Sequence, residues 1–294
     1  GVVYQLDGAS VTEANYYNTS NFNSASSRKI IITVAASAPT LYYFCHYHSG
    51  MGGQANTNST FGSSNFSGSI QTVVSANQTA GFSIIKYPGN STNSTIGHGI
   101  GTSPSLIIFK ERDGAESWRV HHTSLPNNTT NTLSLNSTSA SFSQSNWISA
   151  ISSSTISIGT DSSFNTSGNN YIAYAFSKKK GYSSIGSYIG NGNSDGTFIY
   201  TGFRPAFVFY KNTTTADSWF LHDNKRQGFN DDNELLFADL SQAEATVNRI
   251  RILSNGFKAI DSDKGVNKSG DTYIYWAIAE QPFVNSNGVP NNAR

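Results

Sequence analysis

The stretch Ser103-Pro104-Ser105-Leu106-Ile107-Ile108-Phe109-Lys110 returns 101 residues later as Arg204-Pro205-Ala206-Phe207-Val208-Phe209-Tyr210-Lys211. Each copy is a short β-branched and aromatic run that follows a proline and ends on a lysine, which reads as a strand. Moving outward, Lys86-Tyr87-Pro88-Gly89-Asn90 answers Ser187-Tyr188-Ile189-Gly190-Asn191 at the same offset, and Trp118 and His121 answer Trp219 and His222. At an offset of 102, Asn165-Thr-Ser-Gly168 and Tyr171-Ile-Ala-Tyr-Ala175 answer Asn267-Lys-Ser-Gly270 and Tyr273-Ile-Tyr-Trp-Ala277. So little drift over about a hundred residues means a duplicated structural unit. Such duplication is commoner in surface and assembly proteins than in single-site enzymes.

Similar apolar runs recur along the whole chain, for example at 29–34, 41–45, 82–87, 148–151, 171–176 and 273–279, separated by Gly, Asn, Ser and Asp clusters. The pattern is that of an all-β sandwich protein, with each repeat long enough for one sandwich of seven or eight strands. Two such units in tandem or one larger shared sandwich both fit. A helix is expected only at 239–250, where Asp239 or Ser241 would cap it, and the first repeat has no equivalent. Glycines such as Gly81, Gly89, Gly190 and Gly202 are expected in turns and bulges, not in a phosphate loop, since no helix follows them.

Of the 294 residues only 13% are charged, and the formal net charge of +1 gives no case for nucleic acid or an anionic membrane. No run of 18 apolar residues exists to span a bilayer, and the first residues lack the pattern of a signal peptide. The chain opens on Gly, which suggests processing or a missing upstream part. Its single cysteine, Cys45, excludes an internal disulfide, so packing must hold the fold. Twelve Asn-x-Ser/Thr triplets, Asn212 and Asn267 among them, follow from the abundance of hydroxyl residues and are read as polar β surface without sugar.

Cys45-His46-Tyr47-His48-Ser49-Gly50-Met51 holds the chain's only Cys and only Met. Thiolate, imidazole and thioether are soft copper ligands, and Cys45, His48 and Met51 have the spacing of a blue-copper ligand loop. No histidine precedes Cys45 to complete such a site, so these residues are expected to be vestigial, with no metal or other cofactor bound. His46 and His48 also fit a His-x-His pair that could meet its copies on a trimer axis. Trp118 with His121, and Trp219 with His222, form a candidate carbohydrate-binding set, because an exposed Trp can stack on a sugar ring. A repeated Trp in a β unit also fits a core position, and residues three apart point to opposite sheet faces. Lys110 and Lys211 are expected as solvated strand ends, and 178–180 as a solvated hairpin. No catalytic constellation is found, although glycosidase carboxylates have no fixed spacing.

Residues 81–87, 97–101, 104–110, 181–192 (Gly-Tyr-Ser-Ser-Ile-Gly-Ser-Tyr-Ile-Gly-Asn-Gly), 200–205, 253–258 and 279–284 together resemble the repeated β domain of virion structural and tail-fibre-like proteins of tailed phages, especially marine and cyanobacterial ones. Residues 33–53 are similar to the end of the cupredoxin-like module that often precedes it. The resemblance implies tandem jelly-roll or concanavalin-like β-sandwiches behind a partial cupredoxin-like N-terminal β module, divided at 1–56, 57–182 and 183–294. It also implies a chain that starts inside the cupredoxin-like module, and a non-enzymatic structural protein exposed on the virion. The expected role is a tail fibre or appendage adhesin for host attachment, with capsid decoration and polysaccharide degradation as alternatives. Expected partners are other virion proteins, copies of the chain in a homotrimer and host surface glycans, without nucleic acid or membrane insertion.

Overall fold

The computed structural model describes residues 2–34, 41–44, 52–55, 62–226, 230 and 234–282. Strands make up 46% and helices 6%, so the class is all-β, with several antiparallel sheets. The chain forms two compact units, Gly1–Ser63 and Ser64–Arg294. From residue 64 onward both sequence repeats lie in the second unit.

In the first unit Val2–Leu6 is the centre of a three-stranded antiparallel sheet, flanked by Ala9–Val11 and Arg28–Ile32. Two short helices, Glu13–Tyr17 and Thr19–Ser24, connect the outer strands. Thr12 and Asn18 cap them by accepting from Asn15 N and from Ser20 N and Asn21 N. These helices are too short to show a period in the sequence. The stretch 239–250, where a helix was expected, instead contains strand Ala245–Thr246 and the start of strand Ile250–Leu253. Asp239 Oδ1 accepts from Trp219 N at 3.0 Å, so the expected helix cap serves a neighbouring strand.

Each repeat in the second unit is a two-layer sandwich. In the first, the large sheet has eight strands in the order Phe142–Ser143, Asn131–Ser134, Arg119–His122, Leu106–Glu111, Asn170–Phe176, Phe82–Pro88, Thr72–Asn77 and Ser63–Asn65. Its small sheet is Ile148–Ile151, Thr155–Ile158 and Ser94–Gly97. In the second, the large sheet runs Ala245–Thr246, Glu234–Phe237, Trp219–Asp223, Pro205–Asn212, Thr272–Ala279 and Ser183–Ile189, opposite a small sheet of Ile250–Leu253, Gly256–Ala259 and Phe198–Tyr200. The order matches strand for strand, except that the first sheet continues for two strands beyond Phe82–Pro88.

The quoted runs lie in the middle of both large sheets. Ile107 and Phe109 point into the first sandwich, while Val208 and Tyr210 point into the second. Their alternate neighbours Leu106, Ile108, Phe207 and Phe209 meet in a third core, which also contains Val120, Leu133, Trp219 and Ile274. The outer faces of the two large sheets therefore pack against each other, with equivalent patches in contact. Strands covered on both faces lose the polar alternation of a half-exposed strand, which accounts for the continuous apolar runs. Hydrogen bonds cross this junction from Trp219 Nε1 to Ser134 O (2.9 Å), from Ser141 N to Thr213 O (3.0 Å) and from Asp217 N to Thr138 O (2.9 Å).

Candidate functional site

The Trp and His residues singled out in the sequence are separated by the sheets they sit on. Trp219 begins strand Trp219–Asp223, is 2% exposed and stacks on Phe209 at 5.1 Å in the shared core. His222, three residues on, points into the second sandwich, where its Nε2 lies 3.2 Å from the Tyr210 hydroxyl. His121 is equally buried, and its strand partner Ile107 belongs to the first core. Only Trp118 is half-exposed, with its ring stacked on Tyr174 at 6.3 Å. Burial therefore removes Trp219, His121 and His222 from any sugar-facing surface of the folded chain, and Trp118 alone does not make a paired site.

Burial also sets the charge state of these imidazoles. Desolvation lowers His121 to about 4, against a weaker opposing backbone contact at Asn128. It lowers His122 to about 3, where the Tyr275 carbonyl opposes it, and His222 to about 3, where Arg226 and Arg249 add to the shift. All three are neutral packing groups near pH 7. Lys211 is buried too, contrary to the solvated strand end expected for it; its Nζ donates to Thr138 O at 3.2 Å and Asn212 O at 3.0 Å. Desolvation brings it down to about 8, although Asp217 and Asp239 favour its charge. Its counterpart Lys110 lies at the surface and donates to Gly114 O.

The most faithfully repeated residues build a corner at one end of each sandwich. Tyr87 stacks on Tyr171 and donates to Phe164 O, as Tyr188 stacks on Tyr273 and donates to Val266 O. Burial pushes the Tyr87 and Tyr188 hydroxyls well up, so both remain protonated donors. Asn165 sends its side-chain amide to Thr92 O and Gly159 O and accepts from Asn90 N; Asn267 sends its own to Asn191 Oδ1 and Asn193 O and accepts from Asn191 N. Gly89 and Gly190 are required because a Cβ there would run into the carbonyls of Thr166 and Lys268. The repeated motifs are thus architectural, and the burial of Asn212 and Asn267 rules out sugar on either in the folded chain.

One pair in the corner is exchanged between copies. Glu111 accepts from the Asn169 amide in the first, whereas Asp271 accepts from the Asn212 amide at 2.9 Å in the second. Sequence reading missed this pair because the acid moves from the end of strand Leu106–Glu111 to the loop just before strand Thr272–Ala279 while the bond persists. Among the described residues, no group of three His, Cys, Asp or Glu is arranged to hold a metal ion. Cys45, His46, His48 and Met51, the copper-like loop, lie outside the described residues.

These features define a class: an all-β protein of duplicated sandwiches joined back to back, with its repeated polar residues committed to loop corners. Residues 55–282 match the model of a domain of unknown function, DUF7483, and the chain belongs to that family. No curated protein and no solved structure matches the chain.

Proposed function

We propose that the chain is a non-enzymatic structural protein of a tailed-phage particle, exposed on its surface as part of a tail fibre or appendage that attaches to the host. The observation that supports this most is the shared core of Leu106, Val120, Phe209 and Trp219, which joins the two sandwiches into one compact unit. A joined pair of sandwiches holds its outward loops in a fixed array, which suits adhesion or assembly. The polar, weakly charged composition fits a surface that recognises neutral glycans or other virion proteins. A homotrimer would add avidity by presenting the same loops around one axis.

Gold-labelled antibody against the chain tests its place on intact particles: label on the tail supports the appendage role, label on the head supports decoration, and no label overturns both. Retention on host cells or a glycan array then tests adhesion. Turnover of host polysaccharide that is abolished by one carboxylate substitution would refute the non-enzymatic reading. Light scattering should give three times the chain mass of 31.7 kDa for the oligomer.

A further inference from the structure

The two sandwiches differ on one flank. In the first, residues 68–77 run past the edges of both sheets. Strand Thr72–Asn77 pairs antiparallel with Phe82–Pro88, and just before it Ile70 N donates to Thr95 O on the edge of the small sheet. Ser69 and Thr95 exchange backbone-to-hydroxyl bonds, Thr72 Oγ1 donates to Gly97 O, and Ile70 and Val74 add their side chains to the first core. This strap closes the first sandwich.

Among the described residues, the second sandwich has no strap. Ser183–Ile189 is the last strand of its sheet, as is Phe198–Tyr200 of the small one. Gly190 N donates to Asp271 O and Ala279 N to Tyr182 O, and Tyr188 pairs with Tyr273. Even-numbered residues therefore bond inward and odd-numbered ones face the open edge. The Lys179 turn takes the edge groups of Ser183, and Ile189 O accepts from Thr197 Oγ1. Ile185 and Ser187 remain as outward backbone pairs. Beside them Ile189 is 64%, Phe198 43% and Tyr200 66% exposed.

Exposed edges are ordinarily protected by Lys or other charges, or by Pro, which lacks an N–H. Here the covered strand carries Lys86 and Pro88, while the open one has Ser187 and Ile189 in their places and no charge at all. We propose that this open flank is a strand-acceptor site, filled in the assembled particle by an extended, uncharged segment of a neighbouring chain. The segment adds antiparallel to Ser183–Ile189 and lays aliphatic side chains over Ile189, Phe198 and Tyr200. The strap supplies the chemistry of that partner: aliphatic residues four apart, at Ile70 and Val74, with one hydroxyl residue, Thr72, between them.

The probe is a labelled synthetic peptide of residues 66–78, titrated into the intact chain and followed by fluorescence anisotropy. In the strap Val73, Ser75 and Asn77 pair with Lys86, Ile84 and Phe82, and the bond from Gly89 N to Asn169 O sets the parity, so these odd residues aim their N–H groups at the acceptor edge. N-methylation at Val73 and Ser75 should weaken binding by about tenfold or more, and at Val74 and Ala76 by no more than about twofold. Ser187→Pro, whose lost N–H faces outward, should abolish binding without lowering the thermal midpoint much. Absence of binding at millimolar peptide, equal loss from both methylation patterns, or binding that survives Ser187→Pro would each overturn the site. A chain that closes this edge by dimerising with itself would also overturn it, in favour of self-association.

Discussion

Strand Phe82–Pro88 lies inside its sheet, while its duplicate Ser183–Ile189 lies at an edge, although both pair in the same register with the last strand of their own repeat. The reason is the length of chain available. Before Phe82 there is room for the strap, but only residues 177–182 separate Phe176 from Ser183, too few for a further strand and its turns. Duplication has therefore preserved the elements that form each core and each corner, and left one flank to whatever precedes the repeat. The same asymmetry appears on the shared face, where Trp219 is a core residue and Trp118 lies at the margin.

Acid is expected to have the largest effect and to separate the copies. His121, His122 and His222 have folded-state values of about 4, 3 and 3, below the usual 6.5 of an unfolded chain. The unfolded state thus takes up protons first, so stability is full above about pH 7 and falls as the pH drops from there towards 4. Each histidine contributes a slope approaching roughly 1.4 kcal/mol per pH unit. Two of the three, together with the similarly lowered His98, belong to the first repeat. Hydrogen exchange at pH 5 should therefore show that repeat opening first; earlier opening of the second would contradict the assignment.

Trp219→Ala should cost about 3–5 kcal/mol in urea unfolding, since it empties the shared core and frees Ser134 O. Trp118→Ala should cost about 1 kcal/mol or less, as for other partly exposed positions. Equal losses would mean that the two faces are more alike than their burial indicates. The corner hubs should behave alike instead: Asn165→Ala and Asn267→Ala should each cost about 1–3 kcal/mol for every buried partner left unbonded. A clear difference between these two variants would show that the corners are not equivalent.

The smallest effect concerns Lys211 against Lys110. Because its folded value is lowered to about 8, Lys211 opposes folding while charged, and stability gains as the pH rises from about 8 towards 10.5. Lys211→Met should remove that rise and leave stability near pH 7 unchanged or slightly improved. The same change at Lys110, which lies at the surface, should leave stability at pH 7 within about 0.5 kcal/mol of the unaltered chain. Denaturation midpoints at pH 7, 8.5 and 9.5 provide the check.

Much of the fold was legible in local residues. Proline-led apolar runs and the nearly constant offset established strands and duplication, because backbone preference and period are local properties. The corner residues were visible as repeated motifs, but their role was not, since Asn165 and Asn267 accept from Asn90 N and Asn191 N, more than seventy positions away. The 239–250 segment misled because Asp239 has the same capping chemistry for a helix or for the start of a strand, and only the position of Trp219 decides between them. Sequence alone determined that the chain is all-β, duplicated and free of internal disulfides. Tertiary structure decided that Leu106 and Phe209 meet in a common core, that the Trp and His pairs are divided by their sheets, and that, among the described residues, one flank is open. Those outcomes depend on which faces and edges find a partner across the chain, and no stretch of neighbouring residues specifies that.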